Sequence, residues 1–187
     1  MNLAGANFSG LDVTEADFRG CDLSGANFYR SRALGCNFTA ANLSNTNFAW
    51  SKLSFSYLSQ IVAPNANFEN SALYEVAITK AVLRGSNFSW SNLEKANFFG
   101  SDISGCNFES CYCHNAFFND TQVRNATFQN AVELNIINLS KTGELHERLV
   151  RGRLKEENVG LGSDFFEKLE RKTQKKWNAR FEDGFNN

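Results

Sequence analysis

A five-residue period runs from the first residues to about residue 128 without insertion or deletion. An apolar residue recurs at every fifth position, beginning with Leu3 and Phe8, and a small or apolar residue stands two positions before it. The residue between them is usually Asn or Asp. Such a period fits neither an α-helix nor a simple strand. A fixed short period over most of a chain predicts a solenoid.

A twenty-residue period lies within the shorter one. The central residue is Phe at every fourth repeat: Phe8, Phe28, Phe48, Phe68, Phe88, Phe108 and Phe128. A second column at the same spacing holds residues that tolerate positive φ, Gly or Asn, from Gly5 to Asn125. One coil should therefore take twenty residues in four sides. We expect one corner to need a backbone conformation that the other three do not.

The coils should stack at the strand spacing of about 4.7–4.9 Å, so that residues twenty apart lie above one another. We expect the seven Phe residues to form one ladder of the core, and each buried ring to contribute roughly 1.5–3 kcal/mol. Ala63 departs from the rule of a large central residue, but Ile61 replaces the small residue beside it. This exchange conserves volume, which cores tolerate best.

These repeats resemble the pentapeptide-repeat family, whose pattern is Ala, then Asp or Asn, then Leu or Phe, then two variable residues. Close matches are Ala6-Asn7-Phe8-Ser9-Gly10, Ala26-Asn27-Phe28, Ala41-Asn42-Leu43-Ser44-Asn45 and Ala96-Asn97-Phe98. The resemblance implies a right-handed, four-sided β-helix with the central and small residues pointing inward. We therefore expect an all-β solenoid of about seven coils over residues 1–140.

All five cysteines fall on inward positions, where a free thiol behaves as a small hydrophobe. The run Cys111-Tyr112-Cys113-His114 has the residue types of a metal site, but its thiols should face the core while His114 points outward. The other histidine is His146, far along the chain. We expect no metal, no cofactor and no disulfide. Five free thiols suit the cytoplasm or another reducing compartment.

Outward aromatic residues fall on three of the four sides and are missing from the side with the Gly and Asn corners. Known catalytic and phosphate-binding motifs are absent from the sequence, and flat solenoid sides lack the cleft that most small-molecule sites require. We therefore expect a contact surface rather than an active site. Its candidate residues are Tyr29, Trp50, Trp90, Phe55, Tyr74 and Tyr112.

The repeat fails near residue 130, and a distorted last coil is expected to end near Ser140. Residues 141–187 then hold 11 Lys and Arg against 9 Asp and Glu. Their patterns predict helices over about 144–157 and 164–181. Apolar residues of this tail are candidates for a cap on the last coil or for an interface: Leu145, Leu149, Leu154, Phe165, Phe166, Leu169, Trp177 and Phe181. At the N-terminal end we expect another chain, a second copy or a larger complex, to cover the first coil.

The leading interpretation is a non-enzymatic protein-binding or scaffold protein, with a protein partner, no nucleic acid and no membrane span. The alternative comes from the resemblance: some family members imitate duplex DNA and protect a type II topoisomerase, DNA gyrase. That role requires acidic sides that imitate phosphates. Here cations interrupt the acidic residues: Arg19, Arg30, Arg32, Lys52, Lys80, Arg84, Lys95 and Arg124.

Overall fold

The computed structural model describes residues 1–131. Within this range there is no helix and no strand longer than one residue; a bridge residue and a two-residue turn alternate every five residues. Each bridge is parallel and joins residues twenty apart, from Asn2 with Asp22 to Asn107 with Thr127. The twenty-residue coil predicted from the sequence is therefore confirmed. Residues 1–120 hold six such periods, and a seventh begins after them.

Each coil carries four bridges and so has four faces. We name each face after the central residue of its first repeat: the Leu3 face, the Phe8 face, the Val13 face and the Phe18 face. A face comprises the repeat centred on that residue and the repeats twenty, forty and further residues along the chain.

Neighbouring coils are joined by hydrogen bonds in both directions. The Leu3 N–H donates to the Asp22 carbonyl at 2.7 Å, and the Asp22 N–H donates back to the Met1 carbonyl at 3.0 Å. The corner residue adds a third bond, from the Gly5 N–H to the Ser24 carbonyl at 2.8 Å. The backbone groups between coils are thus paired within the stack, which a buried backbone requires.

Every corner turns through the same left-handed conformation. All residues at multiples of five, from Gly5 to Asn130, have φ between 52° and 71°. In most repeats the central carbonyl also accepts a bond across the corner, as Leu3 does from the Ala6 N–H at 3.0 Å. Positive φ at the third residue is the mark of a type II turn. The expectation of one special corner was therefore wrong, because all four faces end in one turn type. Gly and Asn merely lower its cost on the Leu3 face.

The core consists of stacked rings. The Phe8 face supplies one ladder, whose neighbouring rings lie 4.6–5.1 Å apart between centroids. Its inner members, from Phe28 to Phe108, are fully buried, while Phe128 is 7 % exposed. Rings of the Phe18 face meet this ladder edge-on, for example Phe38 against Phe48 at 5.6 Å. Ile61 and Ala63 are both fully buried.

Where Asn or Asp stands in the column before the central residue, its side chain closes the turn from outside. Its Oδ1 accepts the N–H two residues on, as Asn7 does from Ser9 at 3.0 Å. Some members also bond to the next coil: Asn42 Nδ2 donates to Asp22 Oδ1 at 3.1 Å. The sequence showed this column, but its role as an Asx turn was missed, although the preference of these side chains for turns was the available signal.

The structure divides the chain into two units, Met1–Gly143 and Glu144–Asn187, and all described residues belong to the first. The distorted last coil, the boundary at residue 140, the two tail helices and the tail's candidate cap residues lie outside the described range. Within residues 1–131 no helix has the length and apolar character needed to cross a bilayer.

Candidate interaction surface

The six candidate surface residues differ in how far they reach solvent. Phe55, Trp90 and Tyr29 are exposed, at 53 %, 39 % and 38 %. Trp50 and Tyr74 are half-buried. Tyr112 departs from the expectation, because it is only 9 % exposed and its ring lies parallel to His114 at 6.0 Å. The accessible part of this set therefore excludes Tyr112.

A fixed cluster lies on the Val13 face around Tyr74. The Phe55 ring meets the Tyr74 ring edge-on at 5.4 Å. Lys95 Nζ donates to Tyr74 Oη at 2.7 Å and to Glu75 Oε1 at 2.9 Å, and it lies 5.0 Å from the Tyr74 ring centre. These bonds, first that to Tyr74, raise the pKa of Lys95, and the bond from Lys95 lowers the pKa of Glu75. The cluster thus joins an aromatic pair to a neutralised ion pair.

The two tryptophans share one corner column, which we call the tryptophan row: Trp50, Asn70, Trp90 and Ser110. Both tryptophans hold left-handed backbone, with φ of 62° and 59°. They lie two coils apart, which is about 9.5 Å at the usual strand spacing. Asn70 between them is only 4 % exposed and Ser110 9 %.

Further apolar side chains reach solvent on the other faces. The Phe18 face presents Tyr57, Phe99 and Phe117, at 56 %, 42 % and 46 % exposure. The Leu3 face has no outward aromatic, as the sequence indicated. It nevertheless exposes Val62 at 46 % and Val82 at 38 %, which form a bridge with one another. The sequence analysis missed this pair, although both valines replace the usual Asn or Asp.

Ion pairs between cations and carboxylates divide the surface charge into neutral patches. Four such pairs occur within residues 1–131: Arg19–Asp17, Arg32–Asp12, Arg84–Asp102 and Lys95–Glu75. Burial acts to raise the pKa of Asp102, but hydrogen bonds from Ser104 and Arg84 outweigh it and lower this pKa. A continuous acidic stripe does not form on this part of the chain.

The thiols are part of the core. All five cysteines are free and buried. Cys36 Sγ donates to the Val13 carbonyl at 3.0 Å, and Cys106 Sγ to the Leu83 carbonyl at 3.0 Å. Burial raises the pKa of Cys36 to about 11 and that of Cys106 to about 12. In the described part of the chain no group of three or more His, Cys, Asp or Glu could hold a metal ion.

The N-terminal end of the stack is open. An open cavity of about 710 Å³ lies above the first coil. The residues around it are Met1, Leu3, Phe8, Asp17, Phe18, Arg19 and Cys21. This end therefore presents core side chains, with one ion pair at its rim.

Comparison with known families gives consistent matches along the repeats. A family described as a pentapeptide repeat region matches residues 11–88. A second, described as pentapeptide repeats in eight copies, matches residues 73–109 and 91–130. No curated protein matches the sequence significantly.

Solved structures with this repeat are similar in fold. A pentapeptide-repeat protein, Rfr23, from the cyanobacterium Cyanothece 51142 is 24 % identical, with 56 % of this chain and 86 % of that chain covered and a TM-score of 0.54. HetL, involved in heterocyst differentiation regulation in Nostoc, is 20 % identical over 70 % of this chain and 73 % of its own, with a TM-score of 0.41. QnrB1, a plasmid-mediated fluoroquinolone resistance protein, is 18 % identical over 76 % and 84 %, with a TM-score of 0.40.

Proposed function

Because the chain belongs to the pentapeptide-repeat family, we propose that it is a non-enzymatic protein-binding scaffold that uses the outer faces of its β-helix. In this proposal the chain forms a right-handed β-helix of about seven coils over residues 1–140, followed by a helical tail over 141–187. The protein would act in the cytoplasm or another reducing compartment, without a cofactor.

The observation that carries the proposal is the set of large apolar side chains held on the outside of a stiff framework. Tyr57 and Phe117 lie in one column of the Phe18 face, whose other members are Asp17, Asn37, Ala77 and Asn97. Both aromatic side chains are about half exposed, at 56 % and 46 %. Since the backbone beneath them is fixed by bonds to neighbouring coils, a partner has little ordering entropy to overcome at this surface. Exposed aromatic anchors on a rigid support are typical of protein interfaces.

The two ends of the stack are further contact surfaces in this proposal. The open N-terminal surface would take a second copy or a partner in a larger assembly. The tail would cover the last coil through Leu145, Leu149 and Leu154. Its second helix, with Phe165, Phe166, Leu169, Trp177 and Phe181, would supply an interface.

The test compares the wild-type chain with the variant Tyr57→Asn/Phe117→Asn. Asn is the usual residue of this column and closes the Asx turn, so the variant should keep its fold. Both proteins serve as bait in lysate of the source organism, followed by mass spectrometry. We expect a protein enriched by the wild type and lost from the variant. Equal capture by two equally folded baits would remove the Phe18 face from the proposal.

The alternative, a DNA mimic that protects DNA gyrase, is not favoured by the charges. Four carboxylates on residues 1–131 are neutralised by cations on the same surface. A phosphate mimic would need such carboxylates to stay unpaired and regularly spaced. We therefore place the scaffold role first.

A further inference from the structure

Three repeats of the Phe18 face carry side chains of different size at the same outward position. Bridges join Ala77 to Asn97 and Asn97 to Phe117, so these residues stand above one another at about 4.8 Å per coil. Ala77 is small and half-buried, whereas Phe117 is large and 46 % exposed. The surface therefore has a shallow place on one side of Asn97 and a projecting ring on the other.

The corners of the same three repeats carry opposite charges. Lys80 and Asp120 are exposed and hold the same left-handed φ of 54°, and Gly100 lies between them, one coil from each. Lys80 forms no ion pair with another residue in the range 1–131. Asp120 lies two coils from it, at about 9.5 Å along the solenoid axis. A partner with an anion opposite Lys80 and a cation opposite Asp120 would match these corners.

Phe99 lies in the middle repeat, between the repeats of Ala77 and Phe117. Its ring is 42 % exposed. The charged corners Lys80 and Asp120 stand one coil to either side of this ring. An apolar centre with a charged rim is the usual anatomy of a protein–protein interface.

The pattern of sizes and charges is complementary to its own reversed order. A two-fold axis along the middle repeat would place a second copy face to face with the first, with its solenoid axis reversed. Ala77 would then face Phe117 of the second copy, and Lys80 would face Asp120 of the second copy. Phe99 would meet its own counterpart near the axis. The first two contacts each occur twice, as an isologous interface requires.

The distance between two packed faces suits these contacts. Stacked sheets lie about 10 Å apart, which leaves room for the Phe117 ring of one copy to fill the shallow place above Ala77 of the other. The matched repeats span only three coils, so the interface is small. The dimer should therefore be weak, with a Kd of about 1–100 µM.

We propose that the Phe18 face binds a second copy of this chain in an antiparallel, face-to-face homodimer centred on the repeat 96–100. The inference rests on the proposed function, since it names the partner of one outer face of the scaffold.

Sedimentation velocity of the full chain at about 1–200 µM measures the equilibrium between monomer and dimer. We expect a reversible dimer, and a loss of affinity of about tenfold or more in Phe99→Thr, because the ring is removed from both copies at once. Thr already stands in this column at Thr79, so the variant should fold, which circular dichroism verifies. Tyr29→Ser is the matched control. It removes an exposed aromatic from the same position of a repeat on the Phe8 face, where Ser9 and Ser89 also stand, and should dimerise like the wild type.

Exchange of the corner charges tests the antiparallel arrangement. Lys80→Asp and Asp120→Lys each place two like-charge pairs in a homodimer, and each should weaken it by about tenfold or more. An equimolar mixture of the two variants should dimerise again, because both corner pairs are then of opposite sign. Asp and Lys suit either corner, since Lys80 and Asp120 already hold the same φ. Arg30→Asp is the matched control: it changes an exposed corner cation on the Phe8 face and should leave the dimer unchanged.

A chain that stays monomeric at about 200 µM would overturn the proposal. So would a dimer that Phe99→Thr and both charge variants leave unchanged, which would place self-association on another surface, or a mixture of charge variants that is no more dimeric than its components. If the dimer fails while the Tyr57→Asn/Phe117→Asn bait still loses a captured protein, the scaffold function stands and its partner is a different protein. If the dimer forms as described while neither bait captures another protein, the inference holds and the scaffold role is left without a separate partner.

Discussion

Ile61 is a large residue where the repeat usually has a small one, and Ala63 is a small residue where it usually has a large one. This pair gives a quantitative test of how the core is packed. Both side chains are fully buried, and they point inward from one repeat on either side of Val62. Ile61→Ala should leave a cavity and cost about 2–5 kcal/mol of unfolding free energy. Ala63→Leu should overfill the same space and cost about 1–3 kcal/mol.

The double variant restores the usual small–large order of the repeat and should lose less than about 1.5 kcal/mol, because total volume is conserved. The single losses sum to at least about 3 kcal/mol, so the coupling between the two sites should be at least about 1.5 kcal/mol in favour of the double variant. Urea unfolding followed by circular dichroism measures each free energy. The control cycle joins Ala63→Leu with Ile103→Val, which lies two coils away at about 9.5 Å and should be additive. If Ile61→Ala and Ala63→Leu prove additive as well, the two residues do not share one space and the compensation argument fails.

Three further predictions concern the core and the surface. Phe68→Ala should lower the free energy of unfolding in urea by about 3–5 kcal/mol, because this fully buried ring stacks on a ring in each neighbouring coil. Phe8→Ala should cost clearly less, because Phe8 is only half-buried at the end of the ladder. Equal losses would contradict the view that the contribution of each ring follows its burial. The buried thiols should be inert to a thiol reagent at pH 8 until the chain is unfolded. The free energy of unfolding should fall above pH 9.0, because the unfolded thiols lose their protons there while folded Cys36 keeps its proton to about pH 11 and Cys106 to about pH 12. Each thiol should lower this free energy by about 1.4 kcal/mol per pH unit in that range. A free energy of unfolding that does not change with pH in urea titrations would refute this prediction. In a supercoiling assay with a quinolone, the protein should give DNA gyrase no strong protection. Robust rescue of gyrase at sub-micromolar protein would show that pairing of the carboxylates with cations does not prevent DNA mimicry.

The periodic features of the fold could be predicted because they depend on counting. A column such as Asn47 and Asn67 repeats at twenty, and the same two residues form a bridge. Inward and outward positions follow from the same count. Apolar residues in the outward column, such as Val62, can be located by the same count, although they lack the aromatic ring that marks the other surface candidates.

The corner conformation and local burial could not be read in this way. Positive φ at Trp50 comes from the turn and the bonds between coils, and the side chain carries no sign of it. Asn70 stands in an outward column, yet it is only 4 % exposed, and its Nδ2 donates a hydrogen bond to Glu69 Oε1. Tyr112 is likewise outward by register but shielded in the stack. Accessibility on a solenoid is a property of neighbouring coils, which a single repeat does not reveal.

The constant distance of twenty residues between bridged partners has a consequence for how the chain folds. Each new coil closes a loop of the same length, whether it is the second or the last, so the entropy of closure does not grow with the size of the protein. Relative contact order therefore falls as coils are added, and a longer solenoid of this kind need not fold more slowly. A chain leaving the ribosome can add each coil to a finished template as soon as its twenty residues have emerged, with no part waiting for the distant C-terminus.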